Sequence, residues 1–160
     1  MKRLVLLGAA VAALVISLVT AGFSGSSAAP AKTTFTVIAQ DSEATFTPSE
    51  FFRTPPTQNA QVSIDAPVYR DGEKVGLAET IVTITRANAD DPAGIIECSV
   101  ELPEGNLLFN GSIHLAELGN GVPIPVVGGT GHWAGTSGVV IMTAAPDGSS
   151  TQLTFKLRKN

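Results

Sequence analysis

The side chains able to move a proton or attack a substrate are few and scattered. Only two histidines, His114 and His132, and one cysteine, Cys98, occur in the 160 residues. No set of His, Cys, Asp and Glu stands at metal-ligand spacing, so neither a metal nor another cofactor is expected. Cys98 alternates with Ile96, Val100 and Leu102 on one side of a period-two run, with Glu97, Ser99 and Glu101 on the other. That pattern makes it a small buried hydrophobe, because a nucleophilic thiolate needs a base beside it and none adjoins. Asp65 shares a polar face with Ser63 and Tyr69 and faces solvent by simple alternation; turned inward, its carboxyl would be raised by burial and could exchange a proton. Glu79 falls on the side of Val75, Leu77 and Ile81, an acid among apolar neighbours, which suits either a cavity wall or a salt bridge at a strand end. His132 and Trp133 occupy a glycine-rich turn, at the surface or at the rim of a binding site. Asp65, Glu79 and His132 are therefore the candidate catalytic residues. Tyr69 and Trp133, each apolar with one polar handle, are the candidate ligand-binding residues.

Those side chains must be held by strands. Thr80 to Thr85 is rich in β-branched residues, and the same period-two pattern predicts strands over residues 34–39, 61–70, 74–86, 95–102, 107–115, 122–127, 137–145 and 151–158. Between them fall turn signals: Asp71-Gly72, Pro103-Glu104-Gly105-Asn106 and Pro146-Asp147-Gly148. Residues 41–56 are expected to form a long loop. No helix of any length is predicted. Short, evenly spaced strands, each with one apolar face, imply an all-β barrel or sandwich, and closure would protect the edges from aggregation.

Before the first strand stands a different kind of segment. Met1-Lys2-Arg3 is cationic, Leu4 to Val19 is apolar apart from Gly8 and Ser17, and small residues follow as far as Ala31. This is the order of a secretory signal peptide, with cleavage expected after Ala31 or after Ala28; an uncleaved anchor is the alternative. No cysteine follows the apolar run, so no lipid attachment site is expected there. The domain organisation is then a signal peptide over 1–31, a first strand and loop over 32–57, and the rest of the barrel over 58–160. One cysteine allows no intrachain disulfide, so the exported domain must rely on a packed core. With 14 Asp+Glu against 10 Lys+Arg, the chain lacks the electrostatic footprint of a nucleic-acid binder. No membrane association is expected once the leader is gone.

The run from Pro123 to Gly138 contains Gly128-Gly129-Thr130-Gly131-His132-Trp133-Ala134-Gly135. It lacks the G-x-G-x-x-G spacing and following helix of a dinucleotide loop, and reads as a sharp turn between strands. It resembles the segment shared by dirigent proteins and the allene oxide cyclase barrel superfamily. The resemblance extends to Val62-Ser63-Ile64-Asp65-Ala66-Pro67-Val68-Tyr69, to Gly72-Glu73-Lys74-Val75-Gly76 and to Asn106-Leu107-Leu108-Phe109-Asn110-Gly111-Ser112, and spans residues 58–157. It implies an eight-stranded antiparallel β-barrel with an apolar cavity. It also implies a small hydrophobic or phenolic ligand, whose cyclisation or isomerisation is steered by a pocket that restricts its conformations. Asp65 matches the aspartate of the dirigent stretch. The first-strand carboxylate of the cyclases would fall near Ala39-Gln40, where no acid stands; their third-strand cysteine falls near Val82, and the dirigent arginines fall on His132 and Ala134. The expectation is a secreted barrel binding a small hydrophobic molecule, with catalysis left open against a non-catalytic binding or structural barrel. The resemblance also leaves a homo-oligomer open.

Overall fold

The computed structural model describes residues 31–49, 57–88 and 90–159. The expected leader thus lies outside the described residues apart from Ala31, which begins the first strand. Among the described residues nine strands follow: β1 (Ala31–Ala39), β2 (Thr45–Thr47), β3 (Gln61–Arg70), β4 (Glu73–Arg86), β5 (Ala93–Leu102), β6 (Gly105–His114), β7 (Val122–Gly129), β8 (Thr136–Ala144) and β9 (Thr151–Lys159). They hydrogen-bond in the order β1-β9-β8-β7-β6-β5-β4-β3-β2, and β1 also pairs with β3. That last pairing closes β1 and β3 to β9 into an antiparallel eight-stranded barrel, with β2 as an extra strand against β3.

Alternation dictates what each strand buries. On β5, Ile96, Cys98, Val100 and Leu102 are buried and Glu97 and Glu101 are exposed. On β9, Leu153, Phe155 and Leu157 point inward, and full burial of such side chains contributes about 1.5–3 kcal/mol each. The Asp71-Gly72 turn has φ of 53° and 84°, the positive pair that a tight hairpin between right-twisted strands requires.

One expectation is corrected. The segment 41–56 is not all loop: Asp41–Glu43 forms a 3-10 turn and Thr45–Thr47 forms β2, pairing Phe46 with Ile64. Half-buried Phe46 packs against the core and so ties this short strand down, a tertiary contact that three residues of sequence pattern cannot announce.

Candidate functional site: a cavity at one end of the barrel

Because consecutive strands are joined alternately at the two ends, the barrel has two distinct ends. The β3–β4, β5–β6 and β7–β8 connections lie at one end. The β4–β5, β6–β7 and β8–β9 connections, together with the chain leaving β1, lie at the other.

The first end is filled with aromatic rings. Phe35 stacks on Trp133 with centroids 5.0 Å apart and on Phe155 at 5.1 Å, and Phe109 meets Phe155 edge-on at 6.1 Å. The Arg70 guanidinium lies 5.1 Å from the centre of the Phe35 ring and pairs with Glu104 at 2.6 Å. That hydrogen bond from Arg70 holds the Glu104 carboxyl below its usual range against partial burial. The turn carrying Trp133 fits only because of glycine: a Cβ on Gly105, where φ is 131°, would stand 2.2 Å from the Thr130 carbonyl oxygen. Two buried polar atoms in this region, Trp133 Nε1 and Arg70 Nε, make no hydrogen bond among the described residues.

Toward the second end the interior is open. A cavity of about 380 Å³ is walled by apolar side chains, among them Ile64, Val82, Ile96, Ile113, Met142 and Leu153. Its volume comes from small residues at inward positions: Ala66 stands opposite Ala78 across β3 and β4, while Ala39 and Ala144 both face Thr151. A volume of this order suits a small organic ligand.

Asp41 brings a carboxyl to this apolar wall. The turn Asp41–Glu43 is pinned on both sides, by Gln40 N–H donating to the Pro67 carbonyl at 2.9 Å and Ser42 N–H to the Ser149 carbonyl at 2.9 Å. The Thr151 hydroxyl donates to Asp41 Oδ2 at 2.7 Å. Burial raises the Asp41 carboxyl above its usual range, and the Thr151 bond opposes that rise without cancelling it. Deeper in the wall, the Thr80 hydroxyl donates to Cys98 Sγ at 3.1 Å. Burial above all, with the nearby negative charge of Glu79 adding, pushes the Cys98 thiol up to about 12 against the Thr80 bond. A thiol so placed stays protonated at neutral pH and is a wall group rather than a nucleophile.

None of the five residues singled out from sequence lines this cavity. Asp65 and Glu79 are direct partners across β3 and β4, both exposed on the outer wall. Their neighbours explain this: Ala66 and Ala78 point inward, so the residues before and after them point out. The apolar company of Glu79 is itself on the outside, where Ile81 is 44% exposed. Tyr69 is half-buried, and its phenol donates to Glu43 Oε2 at 3.0 Å. His132 is exposed at the aromatic end with its ring edge-on to Trp133, while Trp133 is buried in the plug. Sequence reasoning missed Asp41, Thr80 and Thr151. For Asp41 a signal existed, since the resemblance placed a carboxylate near Ala39-Gln40, one or two residues away.

No family model and no curated protein matches the sequence. Solved structures do match the fold. One is a pyocyanin demethylase, 19% identical, covering 78% of this chain and 99% of its own, with a TM-score of 0.64. A second is an exo-specific intermolecular Diels-Alderase, 13% identical, covering 80% of this chain and 98% of its own, with a TM-score of 0.63. A third is a pterocarpan synthase dirigent protein, 13% identical, covering 81% of this chain and 90% of its own, with a TM-score of 0.62. At these identities what is shared is the architecture, and the chain has the fold of the dirigent-like barrels.

Proposed function

We propose that the chain is a secreted barrel that takes a small hydrophobic molecule into the cavity and directs its stereoselective cyclisation or isomerisation. The observation that carries this reading is the cavity itself: an apolar chamber of about 380 Å³ with a half-buried carboxyl, Asp41, in its lining. Walls from seven of the eight barrel strands and β2 limit the conformations open to a flexible ligand, which lowers the entropic part of a ring-closing barrier. Asp41 adds the chemistry. A carboxyl whose pKa burial raises is better suited to giving and taking a proton than an exposed one, and apolar surroundings strengthen its effect on developing charge. The likeness of fold to a Diels-Alderase and a pterocarpan synthase dirigent protein supports a cyclising role. Export rests on the leader pattern of residues 1–31. Among the described residues, no helix is long and apolar enough to cross a membrane.

A second reading, binding without turnover, is favoured by one observation. Asp41 is the only carboxyl among the described residues lining the cavity, and the Cys98 thiol beside Thr80 is held protonated. Calorimetric titration of the processed protein with lipophilic and phenolic compounds tests the cavity. Saturable binding with a stoichiometry near one is expected, and Ala78→Phe, which fills the chamber, should abolish it while circular dichroism stays β. Chiral analysis of recovered ligand separates the two readings, because an enantiomeric excess that Asp41→Asn removes requires turnover. No saturable binding by any such compound would sink both.

A further inference from the structure

The net charge of the barrel differs between its two ends. Among the described residues, Lys32, Arg70, Lys74, Lys156, Arg158 and Lys159 stand on strand segments or turns toward the aromatic end, where Asp71, Glu73, Glu101 and Glu104 offset them in part. At the cavity end stand Asp41, Glu43, Asp90, Asp91, Glu117 and Asp147, with Arg86 as the one described cation. Arg86 is engaged, pairing with Asp91 at 2.6 Å, and His114 Nδ1 donates to the same carboxylate at 2.9 Å. The cavity therefore lies in the negative half of a polarised molecule, and a field of this sign concentrates cations and repels anions.

The lining agrees with the field. Thr151 donates to Asp41 Oδ2, and a carboxylate with about four lone-pair sites can accept further hydrogen bonds beside that one. A carboxylate oxygen only accepts, so a ligand ammonium can donate to it and a ligand carboxylate cannot. A cation placed against it would also offset the desolvation that burial imposes on Asp41.

We infer that the occupant of the cavity is an amphiphile with an apolar body and a protonated nitrogen at the end that meets Asp41, and that the same cavity rejects apolar carboxylates. This rests on the cavity reading above and adds the charge class of the ligand. The walls take the body by burial alone, so selectivity resides in Asp41 and in the surrounding acidic turns. The exposed carboxyls Glu117 and Asp147 act over distance and are screened by salt, whereas Asp41 acts by contact.

The test uses three probes with one alkyl chain and different ends: n-octylammonium, n-octanol and octanoate, titrated calorimetrically into the full processed protein at neutral pH. At low salt the ammonium should bind about tenfold more tightly than the alcohol, and the carboxylate about tenfold more weakly than the alcohol, the scale of a single partly screened charge contact. Raising the ionic strength to about 1 M should narrow these gaps without closing the one set by Asp41. Asp41→Asn keeps the shape and should remove the advantage of the ammonium over the alcohol. Glu117→Gln should reduce that advantage only at low salt. Octanoate binding as tightly as octylammonium, or Asp41→Asn leaving the ranking unchanged, would overturn the charge assignment while the cavity stands. Failure of all three probes to bind would overturn the cavity reading, and this inference with it.

Discussion

The two ends of this barrel are made by the same strands under the same alternation, yet one is solid and the other hollow. At the aromatic end, Phe35 stacks on both Trp133 and Phe155, with ring centroids 5.0 and 5.1 Å apart. At the other, Ala39, Ala66, Ala78 and Ala144 occupy inward positions, and a chamber of about 380 Å³ remains. Strand alternation is the same at both; side-chain volume differs. Dense packing gives stability, and space gives binding, and a barrel can divide the two along its axis. The division extends to charge. Glu104, at the solid end, is paired with Arg70 and held low, while Asp41, in the hollow, is raised by burial.

The largest test of this division is mechanical. Phe155→Ala should cost about 3–5 kcal/mol in urea denaturation, because the ring is fully buried and stacked. Leu118→Ala, at the half-buried edge of the chamber, should cost about 1 kcal/mol, since little packing is lost. Equal losses would erase the distinction. A smaller effect concerns Cys98. Its unfolded pKa lies near 9.0 and its folded value is about 12, so over that window the unfolded chain releases a proton that the folded chain keeps. Stability should therefore fall as pH rises from about 9, with a slope of up to about 1.4 kcal/mol per pH unit from this group, and Cys98→Ala should flatten that limb.

The smallest effects should have opposite signs at the two ends. Asp41, raised in the folded state, contributes stability below its unfolded pKa of about 3.9 and loses it as pH rises through the folded value. Asp41→Asn should thus raise the melting temperature at neutral pH, and the gain should vanish in acid. Glu104, lowered in the folded state, contributes stability at neutral pH that is lost as pH falls through its folded value. Glu104→Gln should lower the melting temperature at neutral pH by a small amount, given its exposure. Paired melting curves across acid and neutral pH would show the two lines diverging.

How much of this was legible depends on whether the information is local. The run Ile96, Cys98, Val100, Leu102 announced its buried face, and β5 buries those residues. Alternation likewise put Asp65 on an exposed face. It failed to place Glu79, because Leu77 and Ile81 are apolar residues of the outer wall, and period two separates faces without saying which is inside. Asp41 was missed for another reason, although the resemblance pointed to a carboxylate one or two residues away. It follows β1 in a turn fixed by contacts with Pro67 and Ser149, and its chemistry depends on Thr151, 110 positions away.

The sequence by itself determined a succession of strands with one apolar side each, the tight turns between them and the identity of the inert thiol, since each follows from neighbours within a few residues. Only the closed structure decided which apolar side faces the axis, which end is filled and which carboxyl meets the hollow. Burial, and with it the energy of a charge or the space left beside a methyl group, is set by residues from every strand at once.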